Sequence, residues 1–157
     1  MPTEIEEARE LPTRPDSVAE WEDLLVRLEI APRAVRVTLE EVEDRTSAAR
    51  ALRSATYREA EVGRLLEVAA DLPRSVGREA GVLAEDGLSD LSIRFASLRA
   101  RTFAMVQRRG LEVWEWRAPL PSGFPVTVHQ LLLWLAKQDA ALLAELRRVR
   151  RSGWGGC

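Results

Sequence analysis

The chain is 157 residues long, the size of one ordinary domain, and its 46 % hydrophobic content is enough to build a core. Its 25 acidic and 23 basic residues are interleaved and leave a net charge of −2, with no basic block of the kind that tracks a polyanion, so nucleic acid is not an expected partner. No uncharged apolar run approaches the roughly 20 residues that a bilayer requires, and the acidic N-terminal MPTEIEEARELP lacks the apolar centre of a secretion signal, so no membrane partner is expected either.

Three divisions follow from the punctuation. Residues 1–15, with Pro2, Pro12 and Pro15, read as an N-terminal tail; residues 16–151 form the folded domain; residues 152–157, the glycine-rich end SGWGGC, read as a C-terminal tail. The single cysteine, Cys157, has no partner for an intramolecular disulfide, which points to a reducing, cytoplasmic setting.

The first helix is expected to be capped by Asp16 or Ser17, with Trp21, Leu24, Leu25, Leu28, Val35, Leu39 and Val42 on one face. Pro32 lies on that face and should kink or split the helix, because proline supplies no backbone donor. A second helical pattern runs through REAEVGRLLEVAADLPRSVGREAGVLAEDG, with Val62, Leu65, Ala69, Leu72, Val76 and Leu83 inward and a bend at Pro73 and Gly77. The third, LSDLSIRFASLRARTFAMVQRRG, is bounded by Ser89 and Gly110 and turns Leu91, Phe95, Leu98, Thr102 and Met105 inward. Its opposite side repeats Ile93, Ala96, Ala100 and Phe103, a second apolar stripe that one core cannot also bury, and a homodimer contact is the expected cover.

Before the last helix, LEVWEWRAPLPSGFPV alternates briefly and then breaks at its prolines and Gly123. Trp114 and Trp116 point to opposite sides if this stretch is extended, one of them plugging an end of the core. In the last helix, which opens with VTVHQLLLWLAKQDAALLAEL, residues Val128, Leu131, Leu135, Leu142, Leu146 and Val149 share one face, His129 projects away from it, and Gln138 and Asp139 interrupt it. An unpaired Asp139 there would be costly, so an arginine of the third helix, Arg99 or Arg101, is its expected partner. Four amphipathic helices predict an all-α four-helix bundle with an irregular Trp- and Pro-containing connection before the last one.

The segment GFPVTVHQLLLWLAKQDAALLAELR resembles the final helix of the DinB-like superfamily, LRARTFAMVQRRGLEVWEWR its third helix and exit, and EWEDLLVRLEIAPRAVRVTLEEV its first helix, proline included. Taken in order these pieces span most of residues 17–150. The resemblance implies a bundle that holds one divalent metal through three histidines, two from the last helix and one from a Glu-Val-x-x-His-Leu motif on the second. The matching positions here are Gln138, Leu142 and, in EVGRLL, Leu65, so all three ligands are replaced. A leucine offers no lone pair, and one amide beside one carboxylate does not bind a transition metal tightly.

No nucleophile elbow, phosphate loop or Cys-His pair stands elsewhere. The expectation is therefore a DinB-like protein without catalytic residues, metal or cofactor, acting by binding a small apolar ligand or another protein chain. The alternative is a metal-dependent thiol-transferase, isomerase or hydrolase of that family, using Asp139 and Gln138. The first reading also places Leu65 and Leu142 together between the second and fourth helices, with Asp139 as the pocket's polar residue.

Overall fold

The computed structural model describes residues 4–71, 87–108 and 111–149. Among them are four long helices, α1 (Val18–Leu39), α2 (Arg45–Ala69), α3 (Leu88–Gln107) and α4 (Val128–Arg148). Two 3-10 helices (Glu4–Glu10 and Leu111–Glu115) and two short strands, β1 (Arg117–Pro119) and β2 (Pro125–Thr127), complete the order. The described residues are predominantly helical, in broad agreement with an all-α reading, and add one small antiparallel sheet in register Arg117↔Thr127, Ala118↔Val126 and Pro119↔Pro125. Its turn closes through Gly123, whose φ of 91° lies where a side chain would be strained.

Three of the four long helices begin where a side chain can satisfy free N–H groups. Ser17 accepts from the Glu20 amide at 3.1 Å to start α1. Asp44 accepts from the Ser47 amide and hydroxyl at 3.0 and 2.7 Å, which holds its carboxyl below the ordinary value and starts α2 thirteen residues before the apolar pattern at Arg58 that announced it. Thr127 and Gln130 form a reciprocal capping box on α4. Helix α3 begins after Gly87 without a side-chain cap, so Ser89 does not play that part. Pro32 does not split α1, which runs continuously through it. Leu72, Pro73, Val76, Gly77, Leu83, Gly110 and residues 152–157 lie outside the described residues.

The helices pack α1 on α3 and α4, and α2 on α3 and α4. Their buried faces make two apolar clusters rather than one. Trp21, Leu24 and Leu28 of α1 meet Val62, Leu66, Val106, Leu131 and Leu135 at one end. Val35 and Leu39 meet Leu52, Leu91, Phe95, Leu142 and Leu146 at the other. Trp114 and Trp116 both pack against the first cluster, because the residues around Trp114 are a 3-10 helix rather than a strand, and Trp114 lies edge-on to Trp21 at 5.6 Å. No helix among the described residues is long and apolar enough to cross a membrane.

The N-terminal segment is not a tail. Ile5 and Ala8 are buried in the first cluster, and Glu6 accepts from the Ser122 amide and hydroxyl at 2.8 and 3.0 Å across the strand turn. Gln130 donates to the Arg9 and Leu11 carbonyls, and the Thr127 hydroxyl to that of Thr13 at 2.6 Å. His129, expected off the core face, is buried under this segment with Nδ1 2.9 Å from the Pro12 carbonyl, so that nitrogen carries the proton. Replacing Ile5 by Ala should therefore lower unfolding free energy by about 2–4 kcal/mol, the range for a buried large-to-small change. Chemical denaturation measures this directly, and a loss within experimental error would show that residues 4–13 are not part of the fold.

Candidate functional site

Between the two apolar clusters lies a charged layer. Arg99 of α3, only 2 % exposed, is surrounded by Glu59 of α2 and Asp139 of α4. Its Nε and Nη2 donate to Glu59 at 3.0 and 2.8 Å, and Nη2 and Nη1 donate to the two Asp139 oxygens at 2.8 and 2.9 Å. The remaining Nη1 proton goes to the Leu28 carbonyl of α1 at 2.7 Å. A guanidinium has five N–H donors, and every one of them is engaged.

The fifth bond has a cause in the sequence. In an α-helix the carbonyl of Leu28 would receive the amide of residue 32, but residue 32 is proline and has no N–H. Arg99 supplies the missing donor, so proline in α1 and arginine in α3 are two halves of one arrangement. All four helices thereby meet at a single side chain.

Burial alone would weaken the Arg99 cation, but the Glu59 and Asp139 carboxylates outweigh it and its pKa rises. Burial pushes the Asp139 carboxyl up, against the opposing pull of Arg99 and with added repulsion from Glu59. With both carboxylates ionised, Arg99, Glu59 and Asp139 together hold one negative charge more than positive, and Arg58 adds a weaker opposing pull on Asp139. Arg101, the other expected partner of Asp139, is exposed. Glu59 was not singled out by sequence reasoning; its signal was a carboxylate on the buried face of α2, four residues after Ala55 and three before Val62.

The three positions matched to family metal ligands do not converge. Leu65 packs beside the first apolar cluster, and Leu142 belongs to the second. Because α2 and α4 run antiparallel, the α2 residues opposite Leu142 are near Leu52, about three turns before Leu65. Gln138 and Leu142 instead border an open groove with Ser54, Arg58, Arg50 and Glu145. That lining is mixed and carries three arginines, Arg50, Arg58 and Arg148, whose charges oppose a divalent cation. Among the described residues no group of three His, Cys, Asp or Glu side chains is placed to hold a metal ion. The residues present do not fit the family's metal.

Ile93, Ala96, Ala100 and Phe103 do fall together, along the outer side of α3 facing α1. The groove there is closed by Pro32, Glu29, Arg33 and Arg36. Ile93 is 64 % exposed. Helix α1 adds an apolar stripe that sequence reasoning missed, Val26, Ile30 and Val37, each more than half exposed. No family model, curated protein or solved structure matches this chain.

Two outcomes follow for the buried cluster. Arg99→Met strands two carboxylates and an orphan carbonyl, and should cost about 3–5 kcal/mol. Pro32→Ala gives the Leu28 carbonyl a helical donor, so it should recover about 1 kcal/mol more in the Arg99→Met background than in the parent; a double-mutant cycle with no coupling would refute the link.

A further outcome concerns pH. Since the Asp139 pKa is raised on folding, the native state binds its proton more readily than the unfolded chain, and this group's contribution to stability grows as pH falls from its folded value toward its unfolded one. The parent should therefore gain stability relative to Asp139→Asn when the pair is unfolded at acidic rather than neutral pH. A gain by the variant instead would mean that ion pairing, not burial, governs this carboxyl.

Proposed function

We propose that the protein is a DinB-like four-helix bundle without metal chemistry, which acts as a non-catalytic binding module and docks another protein chain on the outer face of α1 and α3. The observation that carries this reading is the set of apolar side chains left outside the core on two neighbouring helices, Val26, Ile30 and Val37 on α1 and Ile93, Ala96, Ala100 and half-buried Phe103 on α3, with Glu29, Arg33 and Arg36 beside the α3 stripe. Exposed apolar residues rimmed by charged ones are characteristic of protein–protein contact sites. The interior offers no comparable opportunity: Arg99 has no free donor, and Leu65 and Leu142 do not enclose a shared apolar pocket. This favours a protein partner over a small apolar ligand, and over an enzyme built on Asp139 and Gln138.

The partner assigned to the face is a second copy of the chain. Alanines at residues 96 and 100, one turn apart, let a facing helix approach closely, while Ile93 and Phe103 flank them with larger side chains. Light scattering on the purified protein should give twice the chain mass at high micromolar concentration, and Phe103→Glu should give the chain mass. Ile93→Glu, at an exposed position, serves as the second variant in case Phe103→Glu unfolds. A wild-type monomer at every concentration would overturn the self-association.

A further inference from the structure

We infer that the two copies meet across a two-fold axis perpendicular to α1 and α3, which lays each helix antiparallel on its counterpart and pairs the two halves of α1 by charge. This rests on the reading of the α1–α3 face as a docking surface and adds its geometry. The stripe on α3 has this symmetry in its own spacing. About a centre level with Leu98, Ile93 of one copy falls opposite Phe103 of the other, and Ala96 opposite Ala100. Large residues then meet large ones, and small meet small.

Helix α1 supplies an independent observation. On its outward sector, Glu22 and Glu29 precede Ile30, and Arg33 and Arg36 follow it. Among the described residues none of these four charges has a salt-bridge partner, whereas neighbouring Asp23 is matched by Arg27 at 3.6 Å. The charge therefore changes sign near Ile30. An antiparallel contact centred there sets Arg33 and Arg36 of one copy against Glu22 and Glu29 of the other, twice over; a parallel contact would oppose like charges.

The two centres lie at the same level of the molecule. Helices α1 and α3 run antiparallel, since Val35 and Leu39 pack with Leu88, Leu91 and Phe95 while Leu28 packs with Val106. Arg99 reaches the Leu28 carbonyl, which puts the middle of the α3 stripe beside residues 28–30 of α1. One axis satisfies both helices, although the apolar spacing of α3 and the charge order of α1 are separate features of the sequence.

The test uses two full-length charge variants, Glu22→Arg/Glu29→Arg and Arg33→Glu/Arg36→Glu, all on exposed positions that leave the core intact. Each alone opposes like charges across the axis and should dimerise roughly tenfold or more weakly than wild type by analytical ultracentrifugation. Mixed in equal amounts, the all-basic and all-acidic helices should restore a heterodimer at least as tight as the wild-type dimer. If the variants dimerise as wild type does, or if the mixture stays monomeric, the axis is wrong while self-association stands. If wild type is itself monomeric, the docking reading fails first.

Discussion

The structure depends on the buried Arg99 guanidinium more than on any apolar contact. Apolar packing is tolerant of sliding, because one leucine substitutes for another in a neighbouring hole. A fork of five directed donors is not. Moving α3 by one turn shifts Arg99 by about 5.4 Å, enough to lose Glu59, Asp139 and the Leu28 carbonyl together. The cost of stranding such charges, about 3–5 kcal/mol, is a large fraction of the stability of an ordinary domain. The two apolar clusters supply the driving force for collapse, and the charged layer between them selects one register of the four helices.

Pro32 illustrates how a local defect and a distant residue become interdependent. Proline inside a helix is ordinarily a loss, since a carbonyl one turn earlier is left without its donor. Here that carbonyl faces inward at the level of the layer, and its free lone pair becomes the third acceptor around Arg99, beside Glu59 and Asp139. A helix with an alanine at this position would present a carbonyl already engaged. The guanidinium would then compete for it with the helix's own backbone.

Much of this was legible in the amino-acid order, and the rest was hidden for identifiable reasons. The inward faces of α1, α3 and α4 follow from three- and four-residue spacing, and an aspartate on the apolar face of α4 demands a cation, which α3 provides. The start of α2 was missed because its first turns expose serine and arginine, and only Ala48, Leu52 and Ala55 mark the buried side. Residues 4–15 carry too few apolar side chains to show a period. Their attachment depends on backbone carbonyls accepting from Gln130, Thr127 and His129, which composition does not reveal. The supposed meeting of Leu65 with Leu142 failed at the level of register: both lie on α2- or α4-facing surfaces, but an antiparallel pair brings together positions whose numbers run in opposite senses.

The same physics that closes the interior directs attention outward. A ligand-binding cluster keeps some donor in reserve for its ligand, whereas every Arg99 donor is engaged within the fold. Uncovered apolar side chains lie instead on α1 and α3, each with one stripe buried in the core and another facing outward. The Arg99–Leu28 bond joins that same pair of helices from within, and Pro32 lines the outer groove at the same level. The register imposed inside is consequently the register displayed outside: by holding Leu28 against Arg99, the buried layer also sets which charges of α1 lie beside which alanines of α3.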